Sequence, residues 1–388
     1  MKSTNYCKKI VPTTAILLTL MLGVGCNNEN KNAYYSKSKM EVINKYLTSR
    51  YLYDVDSVDQ EQIADSIYAN YVGGLENQAT YYLGVDEFKQ AEAAEEGNYL
   101  GVGLKMTWES DGHSILITEI IPGSSAEKAN LQVGDHIVAI DGIEVVSVNR
   151  KQVVDKLEYT GEKEITYKVK KKDGGQEEIV ALKAELVLLD DLSYEIKDQV
   201  GYIKLESIRN GTSTHLENIM KELDEKQVKG IILDLRELYT NNVEEVSKIS
   251  DLFLDKGIAF KLKQGKEKLK SYEMTSGKYE KKVVLLTDRY TGGVTEALVS
   301  ALKDVAVQIG TDTYGLAYVS ELIPLQDGSG LSVATGILYD KYGEALSDKG
   351  IEPDQMVFMT EAEKVEYIEK GSVSKENDSL LKKAMEQF

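Results

Sequence analysis

The runs Val200-Gly-Tyr-Ile-Lys-Leu205, Gly230-Ile-Ile-Leu-Asp-Leu235 and Lys282-Val-Val-Leu-Leu-Thr287 decide how this sequence folds. Each is a short apolar stretch with β-branched residues and reads as a buried strand. Helical patterns lie between and after them, from Thr214 to Lys226, around Glu244 to Leu254, and from Val294 to Asp304. Such alternation predicts an α/β domain over residues 187–360, its sheet buried between helices.

Outward from that core the pattern changes. Over residues 96–186, β-branched runs at Ile115 to Thr118, Ile137 to Ile140, Ile165 to Val169 and Ile179 to Leu182 are separated by turn chemistry at Asp141-Gly142 and Asp173-Gly174-Gly175. A helix-like segment sits at Ser125 to Asn130, and the whole reads as a small β-rich domain. Residues 39–95 are helical in pattern, with Val42, Ile43, Tyr46 and Leu47 on one face and Ile63, Ile67 and Tyr71 on another. This predicts a helical cap whose tyrosines, part of the chain's 24, recur at core spacing and pack. Residues 361–388 form a charged tail of helical tendency.

The N-terminus has the plan of an export signal. Lys2, Lys8 and Lys9 precede an apolar run from Ala15 to Val24, and Gly25-Cys26 follows. The run is too short to remain as a spanning helix. Residues 1–25 are therefore expected to be removed, with Cys26 taking a diacylglyceryl group and residues 26–38 tethering the fold to the extracytoplasmic face of the membrane. Cys7 falls in the segment removed, so the mature chain has no disulfide.

With 388 residues, 42% hydrophobic and only four prolines, the chain is long enough for two or three domains and too apolar to be disordered. Loss of residues 1–25 would leave 43 basic against 64 acidic residues, a net charge of −21. Nucleic acid is excluded as a partner by that sign, and anionic lipid would repel the fold, so the lipid on Cys26 is left to hold it. His113, His136 and His215 are scattered without metal-ligand spacing, and Gly292-Gly293 lacks the Lys-Ser/Thr of a phosphate loop. No cofactor is implied.

Two resemblances sharpen this reading. Tyr99-Leu-Gly-Val-Gly-Leu104, Ile121-Pro-Gly-Ser-Ser-Ala126, Leu131-Gln-Val-Gly-Asp135 and Ile140-Asp-Gly142 resemble a PDZ domain. The resemblance implies that the loop of Leu100, Gly101, Val102, Gly103 and Leu104 offers backbone N–H groups to the carboxylate of a peptide C-terminus, the peptide adding as a strand. Val200-Gly-Tyr-Ile-Lys204, Gly230-Ile-Ile-Leu-Asp-Leu-Arg236, Ile309-Gly-Thr-Asp-Thr-Tyr-Gly315 and Gly350-Ile-Glu-Pro-Asp354 resemble the core of the C-terminal processing (tail-specific) serine peptidases, which implies a crotonase-like α/β fold.

That family attacks with a serine at a helix start, activated by a lysine base. On its motifs the nucleophile position is Gly293, the base position Leu316 and the assisting position Ser320. The glycine turn of the family's oxyanion hole reads Asp234-Leu-Arg-Glu-Leu-Tyr-Thr-Asn241. Glycine has nothing to attack with and leucine cannot accept a proton, so the expectation is an inactive relative: a lipoprotein that binds protein C-termini or unfolded tails as an adaptor or regulator. Thr291, Thr295, Ser300 and Lys303 are the fallback residues of an active endopeptidase with a displaced nucleophile, Thr291 reading more simply as a helix N-cap. A structural partner of an active paralogue is the third reading.

Overall fold

A computed structural model describes residues 37–52, 60–157, 163–172, 174, 176–275, 277, 279–370 and 372–388. Cys26, the export signal and most of the expected tether lie outside these. The chain divides into two units, residues 1–60 and 61–388. The described part of the first unit includes the helix Lys37–Arg50. Val42, Ile43, Tyr46 and Leu47 form its apolar stripe as expected, but all four are exposed.

In the second unit the β-rich region is an antiparallel sheet ordered Leu104–Trp108, Ile115–Ile120, His136–Ile140, Ile165–Lys170, Glu177–Leu182. Strict alternation writes this sheet: Ile165, Tyr167 and Val169 point inward while Thr166 and Lys170 face water. Ile117, Ile137, Ile140 and Val153 complete its core at full burial. Asp141 and Gly142 both take positive φ, +48° and +77°, as the expected tight turn demands. Of the expected turn at Asp173-Gly174-Gly175, only Gly174 is described.

The α/β region is built on a six-stranded sheet ordered Leu192–Lys197, Val200–Leu205, Gly230–Asp234, Lys282–Thr287, Ala306–Gly310, Gln355–Met356. Its first pair is antiparallel and the others are parallel. Because both faces are covered, Gly230–Asp234 is buried at every residue rather than at alternate ones. Helices Thr212–Glu225, Val243–Phe253 and Thr295–Leu302 contribute to the core cluster on one face.

The other face is covered by the tail. Leu380, Leu381 and Ala384 of the helix Ser379–Met385 pack on Tyr202, Ile232, Val284, Leu286 and Ile309. The tail's expected charged and helical character is present, yet it is also part of the core. A second antiparallel sheet, absent from the sequence expectation, joins Tyr81–Leu83, Gly330–Asp340, Gly257–Gln264 and Lys270–Met274, with Tyr318–Pro324 paired to Gly330–Asp340. The expected cap therefore includes a strand, Tyr81–Leu83, that belongs to this sheet. The expectation that the cap tyrosines pack holds for Tyr82, which is buried with its ring 5.5 Å from that of Tyr68, and is corrected for Tyr46 and Tyr71, which are more than half-exposed.

Candidate functional site

The strand Gly230–Asp234 runs into the turn that would carry an oxyanion hole. Asp234 is fully buried and is met by Arg236 through Nε and Nη2 at 2.9 and 2.6 Å, and by the Tyr202 hydroxyl, which donates at 2.7 Å. Burial opposes its charge, but the Arg236 guanidinium outweighs burial and holds the carboxyl below the usual range. Arg236 Nη2 also reaches Asp378 at 2.8 Å, and Asp378 caps the helix Ser379–Met385 by accepting from the Leu381 N–H at 2.9 Å.

Beyond Arg236 the chain pairs with the nucleophile loop. Tyr239–Thr240 lies parallel to Gly292–Gly293, the Gly292 N–H donating to the Leu238 carbonyl at 3.0 Å and the Val294 N–H to the Thr240 carbonyl at 2.8 Å. Donors that flank the nucleophile position are thereby already engaged. Gly293 sits at φ +64°, and a Cβ there would lie 2.5 Å from the Thr240 carbonyl oxygen and about 3.0 Å from the Tyr239 ring. The position is closed to a side chain, not merely lacking one.

Glu296, in the first turn of the following helix, is fully buried. Its Oε1 accepts from the Thr313 hydroxyl at 2.6 Å and the Gly315 N–H at 2.8 Å, while Oε2 is buried with no partner among the described residues. Burial pushes its carboxyl up, and the Thr313 hydroxyl with the Gly315 and Leu316 N–H groups only partly offsets that. Glu296 thus holds the turn on which the base position stands, where Leu316 is half-buried.

Ser320 is 8% exposed; its N–H donates to Asn241 Oδ1 at 3.2 Å and its hydroxyl to the Ala79 carbonyl at 3.4 Å. Beside it opens a cavity of about 520 Å³ between Glu95, Ser207, Tyr239, Asn241 and Tyr81.

The fallback residues do not assemble. Thr291 is not the N-cap, a position taken by Val294; its hydroxyl donates to the Leu235 carbonyl at 2.8 Å and accepts from the Asp288 N–H at 3.1 Å, closing the preceding loop instead. Thr295 is fully buried, its hydroxyl without a hydrogen-bond partner among the described residues. Ser300 lies farther along the helix, half-buried, and Lys303 is exposed at its end.

The peptide loop is organised differently. Asn98–Gly101 pairs with Glu185–Leu188 and delivers the loop to the short helix Ser125–Lys128, where the Val102 carbonyl accepts from the Ala126 N–H at 3.0 Å and the Ser125 hydroxyl at 3.2 Å. Gly103, at φ +88°, packs so closely on Ser124 that a Cβ would overlap it. The Tyr99 hydroxyl accepts from the Gly103 N–H at 3.4 Å. Leu104–Trp108 ends its sheet, leaving an edge for an added strand. Arg150 on the helix Arg150–Leu157 lies 4.8 Å over the Trp108 ring. Sequence reasoning overlooked Tyr99, Tyr239, Asn241 and Glu296 as site residues. Tyr99, Tyr239 and Asn241 lie within the stretches that carry the two resemblances and Glu296 lies three residues after Gly293, yet motif matching assigns none of them a role.

An α/β core with a helix opening at the nucleophile position, preceded by an antiparallel domain with a carboxylate-type loop, defines a serine-peptidase scaffold with a peptide-binding module. Residues 199–357 match the profile of peptidase family S41 and residues 90–170 that of the PDZ domain. The chain therefore carries an S41-type peptidase domain preceded by a PDZ domain, and over most of its length it is similar to proteins named as CtpA-like serine proteases. It is 26% identical over 366 residues to a "Probable CtpA-like serine protease" of Staphylococcus aureus strain N315, covering 91% of this chain and 72% of that protein. A Staphylococcus epidermidis protein of the same name is 26% identical over 345 residues, covering 87% and 69%. In fold, the chain is similar to a Bacteroides fragilis NCTC 9343 protein named as an S41 protease, with a TM-score of 0.56 at 17% identity over 89% of this chain and 96% of that one.

Proposed function

We propose that this chain is a receptor for protein C-termini and unfolded tails, which it captures through its PDZ domain without cutting them, as an adaptor or regulator of an active peptidase. The observation that carries the reading is the bridge between Tyr239–Thr240 and Gly292–Gly293, which occupies the nucleophile position with backbone and leaves no room for a side chain at Gly293. Leu316 supplies no base, and Thr291 and Thr295 are buried away from one. Loss of nucleophile or base alone removes several orders of magnitude from such a unit.

Capture is supported by the loop Leu100–Leu104 and the unpaired edge of Leu104–Trp108, where a peptide strand would pair and its carboxylate would replace the Tyr99 hydroxyl as acceptor of the Gly103 N–H, a bond that is long at 3.4 Å. On this reading Cys26 carries the lipid that holds the receptor at the outer face of the membrane. Lys2, Lys8 and Lys9, the run to Val24 and the small residues Gly23 and Gly25 support that anchoring.

Binding of labelled decapeptides to the full chain in detergent tests the function. Free C-terminal acids bind, amidated copies bind roughly 10–100-fold more weakly because charge-assisted hydrogen bonds are lost, and both are recovered uncut. Equal binding of acid and amide overturns the receptor; cleavage overturns the inactive site. Incorporation of a fatty-acid analogue that is lost in Cys26→Ser tests the anchor, and incorporation unaffected by Cys26→Ser contradicts it.

A further inference from the structure

The cavity beside the retired nucleophile has a chemistry of its own. Its mouth and walls come from the end of the helix Val85–Glu95, the turn at Asn241, the strand Tyr318–Pro324 and the half-exposed rings of Tyr81 and Tyr239. Two carboxylates, Glu95 and Glu321, line it, and none of its lining residues is Lys, Arg or His. Glu95 has an amide for a neighbour, Asn241 Nδ2 at 3.4 Å, and Glu92 adds a like charge. Ser207, also in the lining, has a buried hydroxyl with no hydrogen-bond partner among the described residues. A volume of about 520 Å³ takes a long side chain with its flanking backbone. Two carboxylates in the lining, tyrosine rings and no lining cation suit a positive group better than an apolar or anionic one.

We infer that this cavity is a cation-accepting pocket that holds an arginine or lysine side chain of the captured polypeptide, between Glu95, Glu321, Tyr81 and Tyr239. The inference rests on the receptor reading for the source of the polypeptide, but its chemistry stands apart from the PDZ loop.

The test uses the full chain and a set of labelled 20-residue peptides with free C-termini, each carrying one arginine at a successive position or glutamine in its place. Arginine at a restricted set of positions strengthens binding about tenfold over glutamine, and Glu95→Gln with Glu321→Gln removes that gain while leaving the acid-over-amide preference intact. Both glutamates are exposed, so the variant folds, as its melting curve will verify. Binding indifferent to arginine at every position, or an arginine gain that survives the double variant, overturns the pocket. Arginine-dependent binding without acid-over-amide preference keeps the pocket and sinks the receptor reading, so the two fail separately.

Discussion

Gly293 concentrates the chemistry of this chain in one residue. At φ +64° with the Thr240 carbonyl where a Cβ would go, a side chain there must distort the bridge to Tyr239–Thr240. Gly293→Ser is therefore expected to destabilise the fold by roughly 1–3 kcal/mol, read as a lower denaturant midpoint. Combined with Leu316→Lys it remains unreactive toward a serine-directed fluorophosphonate; labelling at residue 293 would show that the bridge yields readily. Glu296 makes the complementary case. Its carboxyl is raised above the usual 4.5 by burial, so its stabilising contribution is fully present below that value and is lost as pH rises through the folded one. Glu296→Gln keeps the acceptor for Thr313 and Gly315 and cannot ionise. The variant should match or exceed the native chain in stability at neutral pH, and its advantage should shrink as pH falls through the folded value and be gone by about 4.5; an advantage independent of pH contradicts the buried charge.

At the scale of elements, the helices Glu361–Lys370 and Ser379–Met385 are joined by carboxylates. Glu363 forms a capping box with Thr360 and accepts from the Ser379 N–H at 2.7 Å, and these hydrogen bonds outweigh burial and lower its carboxyl to about 2. Because the folded value is depressed, the contribution is present above the ordinary 4.5 and is lost as pH falls toward 2. It amounts to roughly 2–3 kcal/mol at neutral pH. Glu363→Gln removes most of it, and the acid limb of the stability profile flattens accordingly. The helix Glu361–Lys370 also touches both halves of the second unit: the Thr107 hydroxyl donates to the Ile368 carbonyl at 2.9 Å and the Tyr367 hydroxyl to Glu237 at 3.0 Å. Elements with a uniform pattern were the legible ones, as the alternation of Ile165–Lys170 and the unbroken apolar run of Gly230–Asp234 illustrate. The strands Gly257–Gln264 and Gly330–Asp340 were not. Their burial is irregular, broken by register shifts between Ile258 and Phe260 and between Val319 and Ser320, so no period of two reports them.

Across the second unit as a whole, the parallel sheet needs the tail. Tyr202, Ile232, Val284, Leu286 and Ile309 form one cluster with Leu380, Leu381 and Ala384, and Arg236 joins Asp234 beneath to Asp378 above. Leu381→Ala is expected to cost about 2–5 kcal/mol, and a chain ended at Ser374 to bind a hydrophobic dye in its native state. Normal stability without those residues would show the sheet covered by something else. Sequence could place the strands of the parallel sheet because apolar runs announce them, and the assignment of Gly293, Leu316 and Ser320 to site positions rests on linear motif order alone. The closure of the site was not legible, because the pairing of residues 239–240 with 292–293 and the cavity walls from Glu95 and Tyr81 depend on contacts far apart in the chain. The apolar stripe of residues 37–50 carried a packing signal that their own unit does not bury.

The central claim is capture without cleavage, and the most direct measurement is mass spectrometry of a C-terminal peptide library after overnight incubation with the full chain, paired with binding of the same library. The account predicts saturable, carboxylate-dependent binding with every peptide recovered at its starting mass. New fragments that vanish on Thr295→Ala or Ser300→Ala, with the protein still folded, would contradict it and place a working nucleophile in the helix Thr295–Leu302.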